Sequence, residues 1–183
     1  MLKKGASAPG WMSLTDMSKK KVHPIATISR VSGRHGEVRL QPLSRYFDEY
    51  IETRDLRIGF DMDMVREIKL SKAIGQGKKR RFKFEGILSR DEAETLIGQT
   101  LYAEGREGDN AELISKDLLG YSVITESGEL VGNLADILWL PSNDVYVIQD
   151  GENEKLIPVI KEIIIGVDHL LRVIMIAPME GLL

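Results

Sequence analysis

Apolar residues recur at every second position through much of this chain, in runs of strand length. Ile25-Ala-Thr-Ile-Ser-Arg-Val31 is rich in β-branched residues and lies between Pro24 and Gly33, which predicts a strand. Gly36-Glu-Val-Arg-Leu40 puts Val38 and Leu40 on one face and Glu37 and Arg39 on the other. Leu43, Phe47 and Ile51 recur at helical spacing, which predicts a short helix within 42–52 over a barrel end. Val65 to Leu70 alternates again, and Gly75 to Arg81 is a turn leading into a strand over Phe82–Ile87. Ser89-Arg-Asp-Glu92 has the form of a capping box. Ala93, Leu96 and Ile97 would form the buried face of that helix, with Gly98 as its stop. Thr100–Ala103 closes the first series of strands.

The second half reads as successive hairpins. Tyr121–Thr125 turns at Ser127-Gly128 into Leu130–Leu138, and Pro141-Ser-Asn143 turns into Asp144–Ile148. Asp150–Glu154 turns into Lys155–Ile160, and Ile163–Ile165 leads through Gly166-Val-Asp168 to Leu171–Ile176. Pro158 predicts an edge or a bulge. Turns at intervals of about 8–12 residues between apolar strands predict a small barrel in each half. The expected fold is mostly β: a first barrel of about six strands, then a second barrel, with short helices. The domains expected are a disordered tail over 1–21, a barrel over 22–104, a linker over 105–112 and a barrel over 113–183.

Charge divides the chain in the same place. From Asp109 to Leu183 there are 4 basic and 13 acidic residues, whereas Val22 to Gly108 has 16 basic and 14 acidic. The tail adds five lysines and one Asp, and the net charge of −3 hides this asymmetry. The front can sit near phosphate; the back is repelled by nucleic acid and should instead meet protein. With no Cys, the chain has no disulfide, thiol nucleophile or cysteine metal site. No apolar run reaches the roughly 18 residues of a membrane span, so no membrane partner and a cytoplasmic location are expected.

The candidate chemistry is that of binding. His23, His35 and His169 share no metal-ligand spacing, and no nucleophile, base and orienting group can be assembled, so no metal, cofactor or catalytic residue is expected. Gly33 and Gly36 serve either a hairpin needing positive φ or a close approach to RNA, with Arg34 and His35 as candidate RNA contacts. Lys78, Lys79, Arg80 and Arg81 form either a loop touching RNA backbone or a solvated hairpin tip. Leu113, Ile114 and Leu118 either close the bottom of the second barrel or form an apolar patch for a protein partner. Trp139 is a core residue or a partner anchor. Asn143 and Asp144 serve a turn beside it and are candidate partner contacts.

In order and spacing, these residues resemble the ribosome maturation factor RimM family from about Val22 to the end. The resemblance rests on Ile28–Val31, Gly33, Gly36–Leu40, Phe84–Ile87, Glu92–Gly98 and Leu101-Tyr102 in the front half. In the back half it rests on Asp117–Gly120, Gly128–Gly132, Asn143–Val147, Leu156–Pro158 and Pro178–Leu183. It implies a six-stranded N-terminal barrel joined to a C-terminal PRC-type barrel. It also implies a non-enzymatic factor that assists assembly of the head of the small (30S) ribosomal subunit and 16S rRNA processing. The implied partners are a ribosomal protein of the S-nineteen family and the immature subunit with its 16S rRNA, bound by a monomer. The chain departs from the pattern at Ser32, where members often have His. It departs again at Leu113-Ile-Ser115, where many carry an aromatic run. A PRC-barrel adaptor without a ribosomal role and an RNA-modifying or RNA-cleaving enzyme are the competing readings.

Overall fold

The computed structural model describes residues 22–105 and 110–177. The expected tail, half of the linker (106–109) and the closing Pro178–Leu183 lie outside the described residues. The first half holds β1 (Val22–Val31), β2 (Val38–Pro42), α1 (Phe47–Thr53), β3 (Leu56–Gly59), β4 (Arg66–Ile68), β5 (Leu70–Ile74), β6 (Arg81–Phe84), α2 (Arg90–Glu94) and β7 (Thr100–Glu104). Its strands form one sheet in the order β4-β3-β7-β1-β2-β6-β5. The two outermost strands, β4 and β5, are separated in sequence by Lys69 alone. Edges tied by one residue must come close together, so the sheet curls on itself. β1 bends to follow that curvature: its register shifts between Ile28 and Arg30 against β2, and between Pro24 and Ala26 against β7. Ile25, Ile28, Ile58, Phe84, Leu96 and Leu101 fill the interior, with Tyr50 and Ile51 of α1 capping it.

The second half holds β8 (Ser122–Thr125), β9 (Leu130–Leu138), β10 (Val145–Asp150), β11 (Asn153–Pro158), β12 (Ile164–Asp168) and β13 (Val173–Ile176). They pair in the order β11-β10-β9-β8-β13-β12. The same argument applies, because the outer strands β11 and β12 are joined directly by residues 159–163. The hairpins are antiparallel as the turns predict, but β13 returns beside β8 in parallel, so a long-range pairing completes the sheet. Pro158 ends β11, an edge strand, where its missing N–H leaves no ladder position unfilled.

The first sheet has seven strands where about six are expected. β5 is largely exposed and β3 is only four residues long, so neither carries a strong alternating signal. The helix expected within 42–52 begins only at Phe47. The capping box at Ser89 is formed, and Gly98 takes φ 82°. α2 ends at Glu94, however, and Ile97 is exposed rather than on the buried face.

The barrels are fastened together by bonds that span them. Lys116 N–H donates to the Leu43 carbonyl at 2.8 Å, and the Ser115 hydroxyl reaches the same oxygen at 3.5 Å. The Arg45 guanidinium donates to Asp144 Oδ1 at 2.8 Å and to the Leu140 carbonyl at 3.3 Å. Tyr46 packs against both cores and stacks on Tyr50.

Candidate functional site

Two surfaces stand out, one on each barrel. On the first, Arg30 of β1 lies directly opposite Arg39 of β2. Like charges in facing positions repel, which leaves the pair poised for an anion. Both line a concavity of about 680 Å³ together with Gln41, Lys78, Arg80 and Phe82. Arg39 is held in place by bonds to the Ser32 hydroxyl and the Lys78 carbonyl. Arg80 is already spent: it pairs with Asp48 at 2.5 Å and Glu52 at 2.6 Å, over the Phe82 ring. Arg81 turns its guanidinium toward the Ser32 carbonyl at 3.4 Å. Lys78 and Lys79 are exposed on a short 3-10 turn, and Arg34 and His35 are exposed on the β1–β2 loop.

That loop has glycines where neighbouring atoms leave no room for a Cβ. A Cβ on Gly36, at φ 87°, would sit 2.5 Å from the Ile87 carbonyl oxygen. One on Gly33 would sit 2.0 Å from a Glu37 carboxylate oxygen, which accepts from His35 N–H at 3.0 Å. Burial pushes the Glu37 carboxyl up, but bonds from its own N–H and that of His35 outweigh it and hold the pKa below the usual value. The sequence reading named Arg34, His35 and Lys78 to Arg81 around this hollow. It missed Arg30 and Arg39, whose juxtaposition depends on strand register.

On the second barrel the expected patch is corrected. Ile114 is 1% exposed and Leu118 0%, both within the core, and Leu113 is partly buried against it. Core packing, not an open apolar surface, uses these side chains. Trp139 is half-buried on the same core and spends its indole N–H on the Ile114 carbonyl at 3.0 Å, with Lys116 over its ring. The Tyr146 hydroxyl, pushed up by burial, donates to the Leu113 carbonyl. Asp144 is buried between Leu140 N–H and Arg45, joining the barrels, while Asn143 is exposed beside it.

An open apolar surface lies instead on the outward side of β9, β10 and β11. Register places Leu138, Val145 and Pro158 in one row across the strands and Asp136, Val147 and Leu156 in the next. The rows between them point inward, as Ile137, Tyr146 and Ile157 show. Leu156 is 51% exposed and Leu138 is also open. A third outward row, Asn133, Gln149 and Glu154, is polar. An apolar face on an edge strand, bordered by carboxylates, suits a basic protein. In the sequence, Leu156 to Val159 reads as core and edge strand, an edge that could accept a partner strand, because an apolar run does not reveal which alternate residues face out. Among the described residues, no three His, Asp or Glu converge as a metal set. No helix among them is long and apolar enough to cross a membrane.

Tandem β-barrels, one with a basic hollow and one acidic with an apolar outer face, define the class of this protein. The family model of the RimM N-terminal domain matches residues 23–107, and that of the RimM PRC barrel domain matches residues 115–182. The chain belongs to the RimM family. The ribosome maturation factor RimM of Caldanaerobacter subterraneus is 34% identical over 166 residues, covering 86% of this chain and 96% of that protein. That of Clostridioides difficile is 31% identical over 172 residues, covering 91% and 99%. A crystal structure from Pseudomonas aeruginosa, assigned as a 16S ribosomal RNA processing protein RimM, matches with 22% identity and a TM-score of 0.43, covering 87% of this chain and 98% of that one.

Proposed function

We propose that this protein assists assembly of the head of the small (30S) ribosomal subunit and 16S rRNA processing by binding a ribosomal protein of the S-nineteen family. The observation that carries this reading is the apolar outward face of β9, β10 and β11, set in a barrel with a large excess of carboxylates. A basic ribosomal protein would be steered by the carboxylates and held by Leu138, Val145, Leu156 and Pro158. The hollow with Arg30, Arg39 and Lys78, with Lys79, Arg34 and His35 on nearby loops, would touch rRNA backbone. The protein would act by binding alone, favouring one conformation of the immature head and leaving when the mature one forms.

The test is capture of a purified S-nineteen-type protein by the immobilised full chain, with sedimentation against immature and mature small subunits. Leu156→Asp and Leu138→Asp should lose the ribosomal protein while the chain stays folded. Undiminished capture by both variants would remove this face as the grip. Absence of the protein from immature subunits would favour an adaptor without a ribosomal role.

A further inference from the structure

A cleft of about 700 Å³ lies between the barrels, away from both surfaces above. From the first barrel it is lined by Phe60, Met62 and Tyr102, and from the second by Asp117, Tyr121 and Arg172. Phe60 is 68% exposed and Met62 is also open. They stand on a β3–β4 turn that cannot easily fold away, because Asp61 accepts hydrogen bonds from Asp63 N–H and Met64 N–H, each at 3.0 Å. Across the cleft, the β12–β13 turn presents Leu170, 92% exposed, and Leu171, 71% exposed, between the lining residues His169 and Arg172. That turn is equally constrained. Leu171 N–H donates to Asp168, and Arg172 has φ 55°, the one positive value outside glycine among the described residues.

The floor between these rims is aromatic and anionic. Arg172 is already stacked on the Tyr121 ring at 4.7 Å, and the Tyr121 hydroxyl lies 3.3 Å from His169 Nδ1. Asp117 is exposed and has no hydrogen bond or ion pair among the described residues. Burial pushes the Tyr102 and Tyr121 hydroxyls up, and the Asp117 charge adds to both shifts, so the tyrosines stay neutral at any physiological pH. With Asp61 and Glu112 also in the lining, the carboxylates outnumber the one arginine. A polyanion would be repelled here, whereas a guanidinium or ammonium would find a carboxylate and ring faces together.

We infer that this cleft clasps an extended basic segment of a protein partner, with an Arg or Lys entering toward Asp117 and apolar neighbours resting on Phe60 and Met62 on one side and Leu170 and Leu171 on the other. The inference deepens the proposed function, from which it takes a basic protein as partner, but it uses a different surface. Two barrels closing on one segment would also make their mutual orientation matter for binding, which a single-barrel grip would not.

The experiment adds a short acetylated, amidated peptide alternating Leu and Arg to the isotope-labelled full chain and follows backbone amide shifts. Shifts should appear in both 60–64 and 169–172. An otherwise equal Leu-Glu peptide and a single-stranded oligouridylate should leave those amides still. Asp117→Asn should weaken the Leu-Arg peptide about tenfold, as expected for loss of a charge-assisted bond. Phe60→Ser, on an exposed side chain, should weaken it without unfolding the chain. The inference is overturned if the peptide moves only the β9–β11 face, if the Leu-Glu peptide or the oligouridylate moves the cleft amides, or if both variants bind as the parent does. Deleting residues 1–21 is the remaining arm. If that alone shifts the cleft amides, the occupant is this chain's own lysine-bearing tail, and the partner is wrong. Loss of S-nineteen-type capture from Leu156→Asp is read separately, so failure of either reading is visible without the other.

Discussion

Replacing Ile114 with Ala separates a packing role from a binding role for the segment after the linker. The side chain is 1% exposed in the second core, beside Leu118 and Tyr146. Its carbonyl, which accepts the Trp139 indole N–H at 3.0 Å, is untouched by the substitution. The change therefore isolates side-chain packing. Three carbons are removed at about 0.8 kcal/mol each. The cavity left in a tightly strung β-barrel brings the expected loss to about 3–4 kcal/mol. For a domain of this size, that lowers Tm by roughly 10–30 °C. Urea denaturation followed by Trp139 fluorescence in a Trp11→Phe background measures it. The paired control is Leu156→Ala, on the open face, which should change stability by no more than about 0.5 kcal/mol. A loss below about 1 kcal/mol for Ile114→Ala would refute the core assignment and restore this segment as a candidate partner surface.

Three further outcomes are expected. A double-mutant cycle on Arg45→Ala and Asp144→Ala should give a coupling of about 1–2 kcal/mol, discounted because the Arg45 side chain is partly exposed; a coupling near zero would mean that the bridge does not join the barrels. Arg30→Glu with Arg39→Glu should weaken binding of a 16S rRNA fragment across sequences and flatten its dependence on salt, measured by anisotropy over a salt series; an unchanged slope would clear the hollow of phosphate contact. The Asp136 carboxyl is held below its usual pKa by the Lys116 ammonium at 2.9 Å and by Ile137 N–H at 2.8 Å. A depressed folded pKa adds stability above the unfolded value, and that stability disappears as pH falls through the folded one. Asp136→Asn should therefore remove a small part, under about 1 kcal/mol, of the stability lost on acidification below about pH 4; a variant whose acid melt matches the parent's would refute the pairing.

The sequence by itself determined the elements that local chemistry governs. Alternation and turn residues locate the hairpins of β8 to β13, and the Ser89 box with Gly98 fixes where α2 starts and its segment stops. The charge division between the halves is also a property of composition. What only the tertiary structure decided is which way each residue faces and what it meets. Ile114 and Leu156 are equally apolar in sequence. One fills a barrel and the other faces outward on an edge strand, because register and the parallel return of β13 beside β8 determine inside and outside. Arg30 and Arg39 become neighbours only through the shifted register of β1 against β2, and Arg80 is drawn out of the basic set by carboxylates on α1. Asp144 looks like a turn residue until Arg45, 99 positions away, closes on it. Local propensity acts over a few residues, whereas faces, pairs and clefts arise from contacts between distant ones, and those exist only after the chain has folded.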